Sequence, residues 1–172
     1  VKQDSMPVRI AKASLIYLMD HGKILPAFSE SLPPELQRPA GVFVSLKKQG
    51  QLRGCIGTIL PTQVDAASEI IRNAVSAATA DPRFPRVQPD ELAELKISVD
   101  ILSTPVRIAS PAELDPRRYG VIVRQGSRSG VLLPDLDGVD TVEDQVNIAC
   151  QKAGIVHSEQ LELYRFEVVR YY

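Results

Sequence analysis

Two spacings of apolar residues alternate along this chain, one helical and one strand-like. Val8, Ala11, Leu15, Leu18 and Met19 recur at helical spacing, Pro7 suits a first turn and Gly22 a stop, so the first element is predicted to be a helix. Residues 26–40 hold Pro26, Pro33, Pro34 and Pro39 and read as a surface loop. From Gly41 to Ile59 the pattern is that of a β-hairpin: Val42-Phe43-Val44-Ser45-Leu46, a two-residue turn at Gln49-Gly50, and a return from Leu52. That turn sets Val44 opposite Cys55 and Leu46 opposite Arg53. A second helix is predicted from Thr62, with Thr62 and Asp65 as its cap. Val64, Ala67, Ile71, Ala74, Val75 and Ala78 form its buried stripe, and Asp81-Pro82 its end.

Strict alternation returns at 96–102, where Ile97, Val99 and Ile101 face one way and Ser98 and Asp100 the other. Two further strands, 120–124 and 131–133, are joined by Gln125-Gly126-Ser127-Arg128-Ser129-Gly130, whose glycines permit tight backbone. Thr141 and Asp144 suit a third helix cap and Gly154 its end. The chain closes on a strand with Tyr164, Phe166 and Val168 on one face. Strands in hairpins mixed with helices, without a repeat, indicate an α+β fold rather than a doubly wound parallel sheet.

The 172 residues suit one ordinary domain, or one with a small second lobe, and 44 % apolar residues allow a full core without staples. Lysine and arginine number 20 against 21 aspartates and glutamates, so nothing global calls for nucleic acid or an acidic membrane, and any anion site must be a local cluster. Cys55 and Cys150 make no disulfide framework, which reads as a reducing, cytoplasmic compartment. No run approaches membrane-spanning length; Leu15 to Met19 is short for a signal core and is followed by Asp20. The chain opens at Val1 rather than methionine, which suits either a trimmed chain or a part of a longer polypeptide.

Leu52-Arg53-Gly54-Cys55-Ile56-Gly57-Thr58 resembles the signature of the AMMECR-one domain family, known in bacteria and archaea as AmmeMemoRadiSam system protein A. Further blocks agree in order: Gly41 to Lys48, Asp81-Pro82-Arg83-Phe84-Pro85, Arg128 to Pro134, Lys152-Ala153-Gly154 and Leu163-Tyr164-Arg165-Phe166. The family often has a tryptophan after the Lys-Ala-Gly block, and this chain has none. The resemblance runs from about Val8 to the end and implies a single AMMECR-type domain over 1–172. It implies an α+β fold with a mainly antiparallel sheet, flanking helices, a larger lobe and a smaller one. It also implies association with a Memo-type protein and a radical SAM protein, and it supplies no established reaction or cofactor.

Cys55 has two readings. On a regular strand Arg53 shares its face and lowers the thiol pKa, while Gly54 and Gly57 leave room for a ligand; Cys55 is then a catalytic thiolate with Arg53 as electrostatic partner. Alternatively it is a structural cysteine among aliphatics, and the glycines serve twist, a bulge or helix packing. A catalytic pair would need His21 or His157 to fold against it, and no paired spacing of Cys55, Cys150, His21 and His157 suggests a metal site. Arg53, Arg83, Arg86, Arg124 and Arg128 lie in or beside the family blocks. Convergence of Arg53, Arg83 and Arg128, with Gly54 and Gly57, would make a pocket for a small anionic group; otherwise these arginines pair with acids such as Asp81 or Asp90. Asp135, Asp137 and Asp140 fail the register of a calcium loop, which would close where Val146 stands, and read as a turn. Three functions follow: a partner module of the Memo-type and radical SAM proteins that binds a small anion, a Cys55 enzyme, or a nucleic-acid-binding domain, the last disfavoured by the balanced charge.

Overall fold

The computed structural model describes residues 2–156 and 160–172. The chain groups into two compact units, a larger one reaching to Leu102 and completed by Val169–Tyr172, and a smaller one, Ser103–Val168.

In the larger unit helix α1 spans Met6–His21. Proline sits in its first turn, and Gly22, at φ 65°, ends it by donating its N–H to the Leu18 carbonyl at 2.8 Å. Strands β1 (Gly41–Lys48) and β2 (Gln51–Thr58) form the antiparallel hairpin. Gln49 and Gly50 both take positive φ, 52° and 79°, which matches the twist of the flanking strands. The ladder then shifts between Leu46 and Lys47: Lys47 faces Leu52, Leu46 faces Gly54, and Arg53 has no partner on β1. Cys55 therefore lies opposite Ser45, not Val44. A β-bulge at Arg53 is the cause, one extra residue that offsets everything beyond it.

Helix α2 spans Ala66–Thr79, with Asp65 as N-cap accepting the Ser68 N–H at 2.7 Å. It starts later than the apolar spacing predicts, and Val64 is 80 % exposed rather than buried. The reason is Glu69, a fully buried carboxylate on α2. It accepts from the Thr62 N–H at 3.0 Å, the Gln63 N–H at 2.8 Å and the Thr62 hydroxyl at 2.9 Å, and also from the Thr58 hydroxyl. Thr62 thus wraps the carboxylate instead of opening the helix. Strands β3 (Leu95–Leu102) and β8 (Val168–Tyr171) complete a sheet of order β2-β1-β3-β8. Ile10, Leu15, Val42, Val44, Leu46, Ile70, Ala74 and Val99 belong to the core where α1 and α2 meet this sheet.

The smaller unit is a second sheet of order β4-β7-β5-β6, from β4 (Val106–Ile108), β5 (Gly120–Gln125), β6 (Arg128–Leu132) and β7 (Glu162–Phe166). Helix α3, Val142–Ala153, packs on it between the predicted Thr141 cap and Gly154 stop. The 125–130 loop is shorter than predicted. Gln125 pairs with Arg128, so only Gly126 and Ser127 turn. The closing strand breaks at Glu167, whose N–H and carbonyl bond the Ser103 hydroxyl and N–H at 2.8 and 2.9 Å. Together these elements are an α+β fold with antiparallel hairpins and flanking helices.

One device recurs in both units. A Cβ on Gly54 would lie 2.2 Å from the Ala77 carbonyl oxygen of α2, and one on Gly130 would lie 2.1 Å from the Ala149 carbonyl oxygen of α3. In each case a strand meets a helix backbone with no room for a side chain. Gly54→Ala is therefore expected to destabilise the fold by about 1–3 kcal/mol through overpacking. Chemical denaturation measures it, and an unchanged midpoint would refute the packing constraint.

Candidate functional site

The signature strand β2 is an edge strand. Its residues divide between two faces. Gly54, Ile56 and Thr58 turn toward α2, where the Asn73 side-chain amide bridges the Thr58 hydroxyl at 3.0 Å and the Val42 carbonyl at 2.9 Å. Cys55 and Gly57 turn the other way. The Phe43 ring lies so close over Gly57 that a Cβ there would be 2.2 Å from it. The Cys55 Sγ lies 3.2 Å from the Ser45 hydroxyl, and Ser45 pairs in turn with Ser98 of β3. A thiol and two hydroxyls thus form one row across three strands. All three residues are partly exposed.

The outer edge of β2 is closed by side chains rather than by another strand. The Cys55 N–H donates to Asp81 Oδ2 at 2.9 Å, and an Arg83 NH2 group donates to the Cys55 carbonyl at 3.3 Å. Arg83 also holds Asp81 through both carboxylate oxygens, at 3.0 and 2.8 Å. A carboxylate and a guanidinium thereby supply the acceptor and donor a neighbouring strand would have offered. Asp81 is 4 % exposed, and the Arg83 hydrogen bonds, with backbone N–H groups of Cys55 and Arg83, hold its carboxyl far below the usual range. Hydrogen bonds to Asp81 raise the Arg83 pKa in return.

Arg53, expected beside the thiol, points elsewhere. Its Nε and one NH2 hydrogen bond Glu91 at 3.0 and 2.9 Å, and two more N–H groups bond the Pro85 and Arg86 carbonyls at 2.8 and 3.2 Å. That uses four of the five donors a guanidinium carries. The bulge re-aims Arg53 across the 85–91 loop, which it braces against the sheet. Arg53, rather than burial, dominates the Glu91 carboxyl and, with the Gln88 N–H, holds it down at about 2. Both arginines are thus paired with acids, as the simpler reading of the cluster expects, although Glu91 and not Asp90 takes Arg53.

Arg128 lies in the smaller unit and donates to the Gly154 carbonyl at 2.5 Å; Arg124 there pairs with Glu162 at 2.9 Å. His21 is exposed at the end of α1 and stacks on Tyr17, and His157 lies outside the described residues. Cys150 is buried on α3, and burial pushes its thiol pKa up. Asp135 and Asp140 flank a turn and pair with Arg117 at 3.5 and 2.7 Å. Ser45, Ser98 and Glu91 escaped sequence reasoning. Ser45 and Ser98 were legible only as outward positions of their strands, and Glu91 left no signal because its partner is distant in the chain. Chemically, the Cys55 surroundings hold permanent charges and hydroxyls. Neither Asp81 nor Arg83 exchanges a proton near neutral pH.

An edge strand carrying this signature on an α+β frame defines a class of domain, and comparison identifies it. The chain belongs to the AMMECR1 family, whose model matches residues 8–171 and so spans both units. A protein of Thermotoga maritima is 55 % identical over 154 residues, covering 88 % of each chain. A protein of Clostridium acetobutylicum is 46 % identical over 172 residues, covering 99 % of this chain but 36 % of that longer one. The crystal structure of an uncharacterized protein from Pyrococcus horikoshii superimposes with a TM-score of 0.89 at 31 % identity, covering 98 % of this chain and 91 % of that one. Among the described residues no helix is long and apolar enough to cross a membrane.

The Arg53–Glu91 pair has a pH signature. The folded carboxyl titrates at about 2 against an ordinary 4.5, so the pair stabilises fully above about pH 4.5 and the contribution is lost as pH falls through 2. Glu91→Gln lacks that contribution at every pH. The gap in denaturation midpoint between the native protein and this variant is expected to hold above pH 4.5 and to shrink as pH falls toward 2. A gap independent of pH would show that Glu91 contributes only as a hydrogen-bonding shape.

Proposed function

We propose that this AMMECR1 domain is a partner-binding module that acts with Memo-type and radical SAM proteins in a modification system. The observation that carries the reading is the state of the signature's charges. Arg53 and Arg83 are each paired with a carboxylate that stays ionised at neutral pH, so they brace backbone and offer no proton donor or acceptor to a reaction. What they brace is a presented loop. Residues 82–86 are Pro-Arg-Phe-Pro-Arg; the prolines fix its shape, and the Arg86 carbonyl is tied to Arg53 while its side chain is exposed. A rigid loop beside an open row of small polar groups is the kind of surface that binds with little ordering cost. The Clostridium relative supports the same view, since there the matching stretch is a part of a longer chain. The named partners rest on the family resemblance.

A second reading keeps Cys55 as a nucleophile. It is favoured by the half-buried thiol at 3.2 Å from Ser45, with Arg83 rather than Arg53 as the nearby cation.

Both readings are tested together by mixing the protein with purified Memo-type and radical SAM proteins and following association. Arg86→Glu is expected to weaken association about tenfold, roughly 1.4 kcal/mol, without changing thermal stability, and Cys55→Ser to leave it intact. Absence of association would overturn the module. For the thiol, iodoacetamide labelling of the folded Cys150→Ser variant across pH is decisive. A nucleophile labels well below the pH of about 8.5 expected of a free cysteine and slows in Arg83→Ala. Protection of Cys55 wherever the fold persists removes the enzyme reading.

A further inference from the structure

In the smaller unit a recess of about 230 Å³ opens beside Tyr119. Its volume falls below the several hundred Å³ of a drug-sized pocket and suits a small polar group. The guanidinium carbons of Arg118 and Arg165 lie 4.8 and 4.4 Å from the centre of the Tyr119 ring. That platform is fixed from behind. The Tyr119 N–H donates to the Asp115 carbonyl at 2.7 Å, and its carbonyl accepts from the fully buried Gln145 side chain at 2.7 Å. Arg165 is half-buried on β7 and donates through one NH1 to the Glu113 carbonyl at 2.8 Å.

The charge state here differs from that around Cys55. Glu167 takes the Arg118 Nε at 2.9 Å, whereas no carboxylate among the described residues pairs with Arg165. Arg118 thus meets Glu167 directly and feels the Asp115 charge as well, while among the described residues most guanidinium donors of the two arginines make no hydrogen bond. Two hydroxyls also line the recess, those of Ser103 and Thr104. The Ser103 oxygen accepts the Glu167 N–H at 2.8 Å, which leaves its proton free to donate outward.

The geometry points to a binding site for a small oxyanion, in which Arg118 and Arg165 clamp the group, Ser103 and Thr104 donate to it, and the Glu167 carboxylate holds Arg118 until the ligand displaces it. Phosphate fits this donor set better than carboxylate, because a tetrahedral group offers more acceptors to two guanidinia and two hydroxyls. The site goes beyond the partner-module reading and does not depend on it.

Calorimetric titration of the whole chain with inorganic phosphate, and separately with acetate, tests the site at low ionic strength. Glu167→Gln removes the internal competitor and is expected to tighten phosphate binding about tenfold. Arg165→Gln and Arg118→Gln are each expected to weaken it about tenfold or more. Arg118 is exposed, so its variant reports on binding even if Arg165→Gln disturbs the fold, and thermal melting verifies each protein. Stronger binding of phosphate than of acetate assigns the site to phosphate esters, and stronger binding of acetate to carboxylates; equal binding supports the oxyanion site and overturns its preference for phosphate. Absence of saturable heat with either anion in both the native protein and Glu167→Gln overturns the site. So does an affinity that Arg118→Gln and Arg165→Gln leave unchanged.

Discussion

Beyond the hairpin turn, β2 carries one residue more than β1 can pair, and that residue is Arg53. Without the bulge, Cys55 would face Val44, which is fully buried against the helices, and the thiol would enter the core. With it, Cys55 faces Ser45 on the open side of the sheet and Gly54 turns to the α2 backbone. Arg53 itself leaves the ladder and reaches Pro85, Arg86 and Glu91. The close approach at Gly54, the exposure of the thiol and the bracing of the loop are thus consequences of one offset. A bulge at a sheet edge also strengthens local twist, which keeps an edge strand from pairing with another chain.

The edge is then finished by an ion pair. An edge residue whose N–H and C=O point outward needs partners, and at Cys55 these are Asp81 and Arg83. A carboxylate that accepts from a backbone N–H and from a guanidinium resists protonation, because each of those bonds favours its charged form. What closes the edge therefore also withdraws both groups from acid–base work. A thiol nucleophile ordinarily relies on an adjacent base or a cation free to stabilise the thiolate. Here the nearest cation is shared with a carboxylate, and the nearest polar side chain is the neutral Ser45. That arrangement supports the proposed binding role over the proposed nucleophile.

Much of the architecture was legible because local signals agreed with the fold. Gly22 and Gly154 end helices at positive φ, Thr141 caps α3, and Gln49-Gly50 turns the hairpin, each where the sequence predicts it. The misplaced start of α2 has a tertiary cause. Thr62 looks like a cap, but its hydroxyl is drawn to the buried Glu69, and no local pattern marks Glu69 as buried. The 125–130 segment misled for a different reason: two glycines suggested a loop, yet Gly130 is there to admit α3, not to turn. At the candidate site Gly54, Cys55 and Gly57 were visible as a motif. The bulge was not, since a single inserted residue leaves no trace in a period of two, and every register-dependent inference about Arg53 shifted with it.

The near-zero net charge of the chain conceals a local division among its arginines. Arg53, Arg83 and Arg170 bond Glu91, Asp81 and Asp100 through both carboxylate oxygens, and each of these acids is largely shielded from solvent. Such pairs fix geometry because their directional bonds are satisfied; for the same reason they have little to offer an incoming anion, which would have to break a two-point contact. Arg118 is held by a single bond to an exposed carboxylate, and solvent screening keeps exposed pairs of that kind weak. Replacing that partner costs little, whereas replacing Asp81 would also strand the Cys55 N–H. The guanidinium groups easiest to recruit for the anion proposed above are therefore those held as Arg118 is beside Tyr119, and not those that close the signature edge.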